Sequence, residues 1–398
     1  MKVLYVDVNA VHLNPTATHL PILFGQNFDD VSYFGPGFIS DIELSNGILK
    51  YIEKTGPYDV LVIGANTPIL IENKKSGIPA TADYLCKYTY QKSRKQILIS
   101  FFNDIHQSVP DIDIQIKIIS TLNFDYYSAT AKQVEMLLNN NLIVLGPNEQ
   151  FILPVDALPD FAKNEPHYLR KLDRVSDVWR EYIKENPSKI ITALHFIADE
   201  ELGFSPISGR SDKVSVPGVA YFLRKEAKKI LRQSNIKCDS NWLLNIYKGA
   251  NKIGFPVYSD FYLQKLYNLA FRHKLMTRKY VYTARGVFGI PIRKFFEIPA
   301  AGATLICSPC NGFSDLGFKK DVHYIHSEPE ELPSVISQIN DDTNKAQEIA
   351  SKGRDLILNH HTIYKRGGQI KMCLDAIMNN SYQGSYWENG GFFLKKTI

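Results

Sequence analysis

Over its first 150 residues the chain alternates short apolar runs with longer amphipathic stretches. No other feature constrains the fold as tightly. Residues 1–7 (MKVLYVD) are rich in Val and Tyr and stop at an Asp. Residues 59–64 (DVLVIG), 96–102 (QILISFF, then Asn103 and Asp104) and 141–146 (NLIVLG) have the same shape. Runs of this length, apolar throughout and closed by a polar residue or glycine, predict buried parallel strands. Residues 42–55 and 83–94 read as helices, and 123–127 lead through Ser128-Ala129-Thr130 into a helical stretch ending at Leu138. Strands alternating with helices predict a parallel sheet with crossover helices.

The pattern pauses over residues 160–190, which are polar and charge-rich, and then restarts. Strands are expected at 213–216, 279–283, 303–308 and 322–325. Helices are expected at 220–233, 260–271, 292–300, 329–339 and 342–358. The 398 residues suit two domains. The division expected is a first α/β domain at 1–165, a linker at 166–195 and a second α/β domain at 196–370. A tail at 371–398, aromatic and glycine-rich (YQGSYWENGGFF), is expected to pack back on the first domain. Two such Rossmann-like domains face each other across a cleft, and ligands bind outside the carboxyl ends of the strands.

Composition narrows the class. Apolar residues make up 44% and charged residues 22%, which excludes a disordered or fibrous chain. The formal charge, 46 − 41 = +5, is far below what neutralising many phosphates requires, so no nucleic-acid partner is expected. The five scattered cysteines do not form a disulfide framework, and Cys307-Ser308-Pro309-Cys310 is a lone pair that cannot complete a zinc site. Asp111 and Asp113 run into an alternating stretch, 114–118, that reads as a half-exposed strand. His323/His326 and His360/His361 lack a further ligand, so no metal is expected. The opening apolar run is too short for a signal peptide, and 298–314 is broken by prolines. A cytoplasmic protein is expected.

The most informative segment is 286–302, GVFGIPIRKFFEIPAAG. A glycine-rich loop beginning at Gly286 leads into a helix start, where backbone amides beside Arg293 and Lys294 can cradle an anion. Glu297, one turn on, is placed to reach ribose hydroxyls if that anion is a diphosphate. Gly302 ends the helix.

The stretch KFFEIPAAGATLICSPCNGFSDLGFKKDVHYIHSEPEELPSVI resembles the C-terminal domain of GT-B glycosyltransferases, above all the spore-maturation-type (CgeB-like) group. Lys294, Phe296, Glu297, Ala300, Gly302, Asp315, Leu316, Phe318, Ser327, Glu331 and Leu332 carry the likeness, which spans about residues 210–370. It implies a GT-B architecture and a nucleotide-diphosphate sugar as donor substrate, with Glu297 on the ribose. Many such enzymes carry a second glutamate eight positions earlier; here that position is Gly289. The segment 216–224 (VPGVAYFLR) resembles the strand, loop and Tyr-x-x-Arg helix that open this domain in the group. Gly218 would then admit the diphosphate, Tyr221 would pack beside it and Arg224 would pair with it. Tyr258 falls where a base often stacks.

The same resemblance gives the first domain the acceptor and any catalytic base. Asp104 follows a predicted strand. His12, in the loop after the first strand with His19 close behind, and His106 titrate nearest neutrality. The expectation is a metal-independent glycosyltransferase that moves a hexosyl or related group to a hydroxyl of a glycan or lipid-linked glycan. Peripheral contact with the inner membrane face would go with such an acceptor. The alternatives are a non-catalytic glycan-binding protein on a degenerate GT-B fold, or a nucleotide-sugar epimerase.

Overall fold

The computed structural model describes residues 1–9, 15–67, 77–88, 94–121, 126–160, 175–218, 221–239, 245–246, 249–250, 253, 261–286 and 288–396. Its first sheet has six strands: β1 (Lys2–Val6), β2 (Asp30–Phe34), β3 (Val60–Ile63), β4 (Ile116–Ser120), β5 (Leu142–Gly146) and β6 (Ile190–Thr192). They lie in the order β2-β1-β3-β4-β5-β6, and every pairing is parallel. Strand residues alternate between two cores. Leu4, Val6, Leu61 and Ile63 enter one, and Val3, Tyr5, Val60 and Val62 enter the other. A sheet buried on both faces needs apolar residues at every position, which is why these runs show no polar alternation.

The helices connecting these strands are α1 (Pro15–Asn27), α2 (Asp41–Ser45), α3 (Ile48–Thr55), α4 (Ile78–Tyr88), α5 (Lys95–Ser108), α6 (Ala131–Asn139) and α7 (Val178–Glu185). Helix α6 starts at a full capping box: Thr130 Oγ1 accepts from Gln133 N, and the Gln133 side chain accepts from Thr130 N. Helix α7 and strand β6 fall within 166–195, the span read as a linker, and belong to this first layer.

Two expectations fail here. Residues 96–102 are not a strand but part of helix α5. Leu98, Phe101, Phe102 and Ile105 are its buried apolar residues, spaced 3, 1 and 3, and Ser100, Asn103 and Gln107 are exposed. That is helical periodicity inside a run whose composition looks like a strand. Residues 114–118 do not form a half-exposed strand. Residues 116–118 are a strand, part of β4, but it is paired on both sides and its apolar residues are buried against both cores. Lys117 survives there because its Nζ reaches out to the Val109 and Ile112 carbonyls, 3.4 Å from each.

The second layer contains α8 (Phe222–Gln233), α9 (Phe261–Thr277), β7 (Tyr280–Ala284), α10 (Lys294–Ala300), β8 (Thr304–Ser308), β9 (Ile325–His326), α11 (Leu332–Asp341) and α12 (Thr343–His360). Strands β7, β8 and β9 are parallel neighbours. Bridges Ser215–Val281 and Val214–Cys238 extend the sheet on the β7 side. Its faces also divide into two cores, Val281, Leu305 and Cys307 against Tyr280, Tyr282 and Ile306.

The chain then returns to the first domain. Helix α13 (Ile363–Met378) packs on α1, with Ile363, Ile370 and Leu374 joining the core under the first sheet. The hairpin β10 (Tyr382–Glu388) and β11 (Gly391–Lys396) touches both domains. Ser385 Oγ accepts from Thr192 N of β6 (2.9 Å), whereas Trp387 is fully buried in the second domain's core. The Arg366 guanidinium lies 4.8 Å from the Trp387 ring centre.

Candidate active site

Strand ends decide where a ligand can sit. The extended residues Val214–Val216, β7 and β8 all run parallel, so Pro217-Gly218, Arg285-Gly286 and the residues after Ser308 lie at one edge. Gly218 has φ +81°, open to glycine and strained for other residues. A Cβ there would fall 2.5 Å from Lys294 Cε, 2.9 Å from Lys294 Nζ and 3.4 Å from Arg224 Nη1. The turn therefore faces two cations at close range. Arg224 is buried on the first turn of α8, donates to the Pro217 carbonyl (3.2 Å) and lies over the half-buried Tyr221 ring. Lys294 opens α10, with its ammonium 5.7 Å from the Phe271 ring centre. Burial pushes its pKa down to about 8. Arg224 and Arg293 push the same way and Glu297 opposes them.

Glu297 lies three residues after Lys294, on the same face of α10. Its Oε1 accepts from Arg293 Nε (2.9 Å). Its Oε2 is buried and, among the described residues, has no hydrogen-bond partner. A buried carboxylate oxygen left in this state needs a donor, which a hydroxyl-bearing ligand would supply.

Arg293 was expected to face the diphosphate with Lys294. The structure places it elsewhere. It is buried in an ion cluster with Glu201 and Glu297, and donates to the Phe196 carbonyl (2.7 Å). His19 Nδ1 of α1 lies 3.4 Å from both Arg293 Nη2 and Glu201 Oε2, and His19 Nε2 lies 3.2 Å from Glu200. Burial opposes charge at Glu201, but Arg293 and His19 outweigh it and hold its pKa down to about 2. Burial likewise lowers His19, and its hydrogen bonds to Glu200 and Glu201 more than reverse this, leaving its pKa raised. Nearby, burial and then Arg293 depress His195 to about 3, so it is neutral. The cluster joins α1 of the first domain to Glu201, Arg293 and Glu297.

The remaining expected residues divide. Gly286 starts a turn (Gly289 N to Gly286 O, 3.0 Å) whose Phe288 lies in the first domain's core, 4.5 Å centre to centre from Tyr127. This loop is docked against the other domain. Gly302 sits past the carboxyl end of α10, near the start of β8, with φ +71°. Its amide donates to the Pro299 carbonyl (2.7 Å), and a Cβ would strike the Phe204 ring. It serves the helix end there, away from the Gly218 turn. Asp104 is not at a strand end. It lies in helix α5, and its Oδ2 accepts from Ile48 N (2.9 Å), the first residue of α3. Its carboxylate caps a neighbouring helix. His106 is half-buried on the last turn of α5. His12 and Tyr258 lie outside the described residues.

Three features were not read from the sequence. Glu201 completes the Arg293 cluster. Arg285, after β7, donates to Ser308 Oγ (2.5 Å) and Glu328 Oε1 (3.1 Å), closing a polar set at the strand ends. Asp7, at the end of β1, is buried and accepts from Asn66 N (3.1 Å) and Thr67 Oγ1 (3.0 Å). Burial raises its pKa to about 7 against these bonds. Among the described residues no three His, Cys, Asp or Glu side chains gather as metal ligands, and no helix is long and apolar enough to cross a membrane.

Comparison with known proteins bears on the fold. Residues 235–371 match a protein family described as glycosyl transferase-like. No curated protein matches the chain in sequence. Among solved structures, Anabaena Alr3699/HepE in complex with UDP is similar over 94% of this chain and 100% of that chain, with a TM-score of 0.51 and 11% identity. Sucrose-phosphate synthase from Thermosynechococcus elongatus is similar over 96% of this chain and 100% of that chain, with a TM-score of 0.50 and 9% identity. At these identities the likeness speaks to the fold. Two Rossmann-like parallel-sheet domains with flanking helices are the architecture of those structures, and the chain has the GT-B fold.

Proposed function

We propose that this protein is a glycosyltransferase that takes a nucleoside-diphosphate sugar and moves the sugar to a hydroxyl of a glycan or lipid-linked glycan. The observation that carries this reading is the meeting of the Gly218 turn, Arg224 and Lys294 at one strand-end edge, with the orphaned Glu297 oxygen one turn of α10 after Lys294. In this reading the backbone at Gly218 and the two cations hold the diphosphate as leaving group, and Glu297 Oε2 accepts from a ribose hydroxyl. The charge on the diphosphate is met by side chains, without a metal. UDP is the first nucleotide to test, because Alr3699/HepE, of the same fold, is solved with it.

A second reading is a binding protein on this fold. One observation favours it: Asp104, the carboxylate expected to act as base, caps α3. Turnover separates the two. Release of UDP from UDP-hexoses should be measured with and without candidate glycan acceptors, in wild type and Glu297→Ala. The transferase reading predicts acceptor-dependent UDP release that falls at least tenfold in Glu297→Ala, the loss expected for a hydrogen bond to a charged group. UDP binding with no release under any acceptor supports the binding protein.

A further inference from the structure

Glu297 does not stand alone, and what holds it comes from outside its own helix. Its Oε1 is taken by Arg293 Nε. Arg293 in turn is gripped by Glu201, 92 residues away in sequence, and by the Phe196 carbonyl. Glu201 also accepts from Ala198 N (2.9 Å), and so is fixed to the chain leaving the first sheet. Its neighbour Glu200 accepts from Arg272 of α9 through its carbonyl, and Leu202 does the same for Arg354 of α12. The acidic turn is thereby fastened to the second domain. His19, from α1 of the first domain, closes the cluster against Glu200, Glu201 and Arg293. Every side chain of the cluster except Glu200 is about nine-tenths buried. Side chains held this firmly have few alternative rotamers, so the carboxylate at their end is preorganised.

We infer that Glu201 and His19 are positioning residues: acting through Arg293, they fix Glu297 with one oxygen occupied and Oε2 left for the ligand. The ribose grip is thereby tied to the contact between the two domains. This rests on the nucleotide-sugar reading above. Neither residue touches the ligand in this scheme. Removing the negative charge of Glu201 leaves Arg293 with Glu297 as its one carboxylate, free to draw in both oxygens as a bidentate pair. The diphosphate cradle at Gly218, Arg224 and Lys294 is built from other residues and should be untouched.

The test compares three probes, UDP, 2′,3′-dideoxy-UDP and inorganic pyrophosphate, by calorimetry on the full chain. Wild type should bind UDP about 10- to 100-fold more tightly than the dideoxy compound, the range expected for hydroxyl bonds to a carboxylate. Glu297→Gln should bring that ratio close to one. Glu201→Gln should lower it at least about threefold, a coupling of at least about 0.6 kcal/mol, within the range for residues sharing one network. Pyrophosphate affinity should stay within about twofold of wild type. His19→Gln, which removes only the first-domain arm, should act in the same direction. A ratio unchanged in both Glu201→Gln and His19→Gln overturns the proposal. So does loss of pyrophosphate binding in Glu201→Gln, because Glu201 would then support the whole site rather than Glu297. Wild type that binds neither nucleotide overturns the nucleotide-sugar reading and this inference with it.

Discussion

Arg293→Ala should lower the free energy of unfolding by about 3–5 kcal/mol, because it strands buried charges without a partner. Arg293 is 7% exposed, and its two carboxylates, Glu201 and Glu297, are 11% and 9% exposed. Without the guanidinium these carboxylates face each other in a site of low polarity, and the Phe196 carbonyl loses its donor. The effect should depend on pH in a defined direction. The folded pKa of Glu201, about 2, lies below its ordinary value of 4.5. Its stabilising contribution is therefore present above about 4.5 and lost as pH falls towards 2. In Arg293→Ala the larger part of that contribution is gone, with His19 left to supply the rest, so the gap from wild type is widest above pH 5 and narrows below 4.5. Urea unfolding at pH 7 and pH 3.5 reads both. A loss under about 1 kcal/mol at pH 7 would mean that the cluster is not the buried network described.

Lys294→Met should weaken UDP binding by about 10- to 100-fold, the loss of one charge-assisted bond to phosphate. Met keeps the length and apolar contact of the stem, including the approach to Phe271. The wild-type pH profile gives an independent check. Burial holds the unliganded Lys294 at about 8. Above pH 8 the site is increasingly neutral, and UDP must pay for reprotonation, so affinity should fall towards pH 9.5. Stability of the unliganded protein runs the other way. Its folded Lys294 binds fewer protons than the unfolded chain between pH 8 and about 10.5, so this residue's contribution to stability rises across that window. Lys294→Met should flatten both trends. A UDP affinity that is flat from pH 7 to 9.5 in wild type would remove Lys294 from the diphosphate site.

What the sequence showed and what it hid follow from the range of the interactions. Strands such as 59–64 and 141–146 were legible because burial on both faces forces an unbroken apolar run. The same logic misled at 96–102, where composition suggested a strand while the spacing of Leu98, Phe101, Phe102 and Ile105 was helical. With that strand went the placement of Asp104, a helix-capping carboxylate rather than a strand-end group. Lys294 and Glu297 stood out through the helix start they belong to, and Gly218 and Arg224 only through the resemblance of 216–224. Arg293 could not be separated from Lys294 in this way. The two are adjacent, and only the rotation of α10 sends one into the Glu201 cluster and the other towards Gly218. Glu201 gave no local signal, and His19 was noted only as a neighbour of His12, with no hint of its partners. Their meaning lies in contacts with Arg293, made across the chain and between domains.

The central claim is that the Gly218–Lys294–Glu297 edge holds a nucleoside diphosphate. A crystal structure of the protein with UDP tests it most directly. The account predicts the diphosphate against the Gly218 backbone and Lys294 Nζ, with a ribose hydroxyl within hydrogen-bond distance of Glu297 Oε2. UDP seated elsewhere, with Glu297 Oε2 still unpartnered, would contradict it.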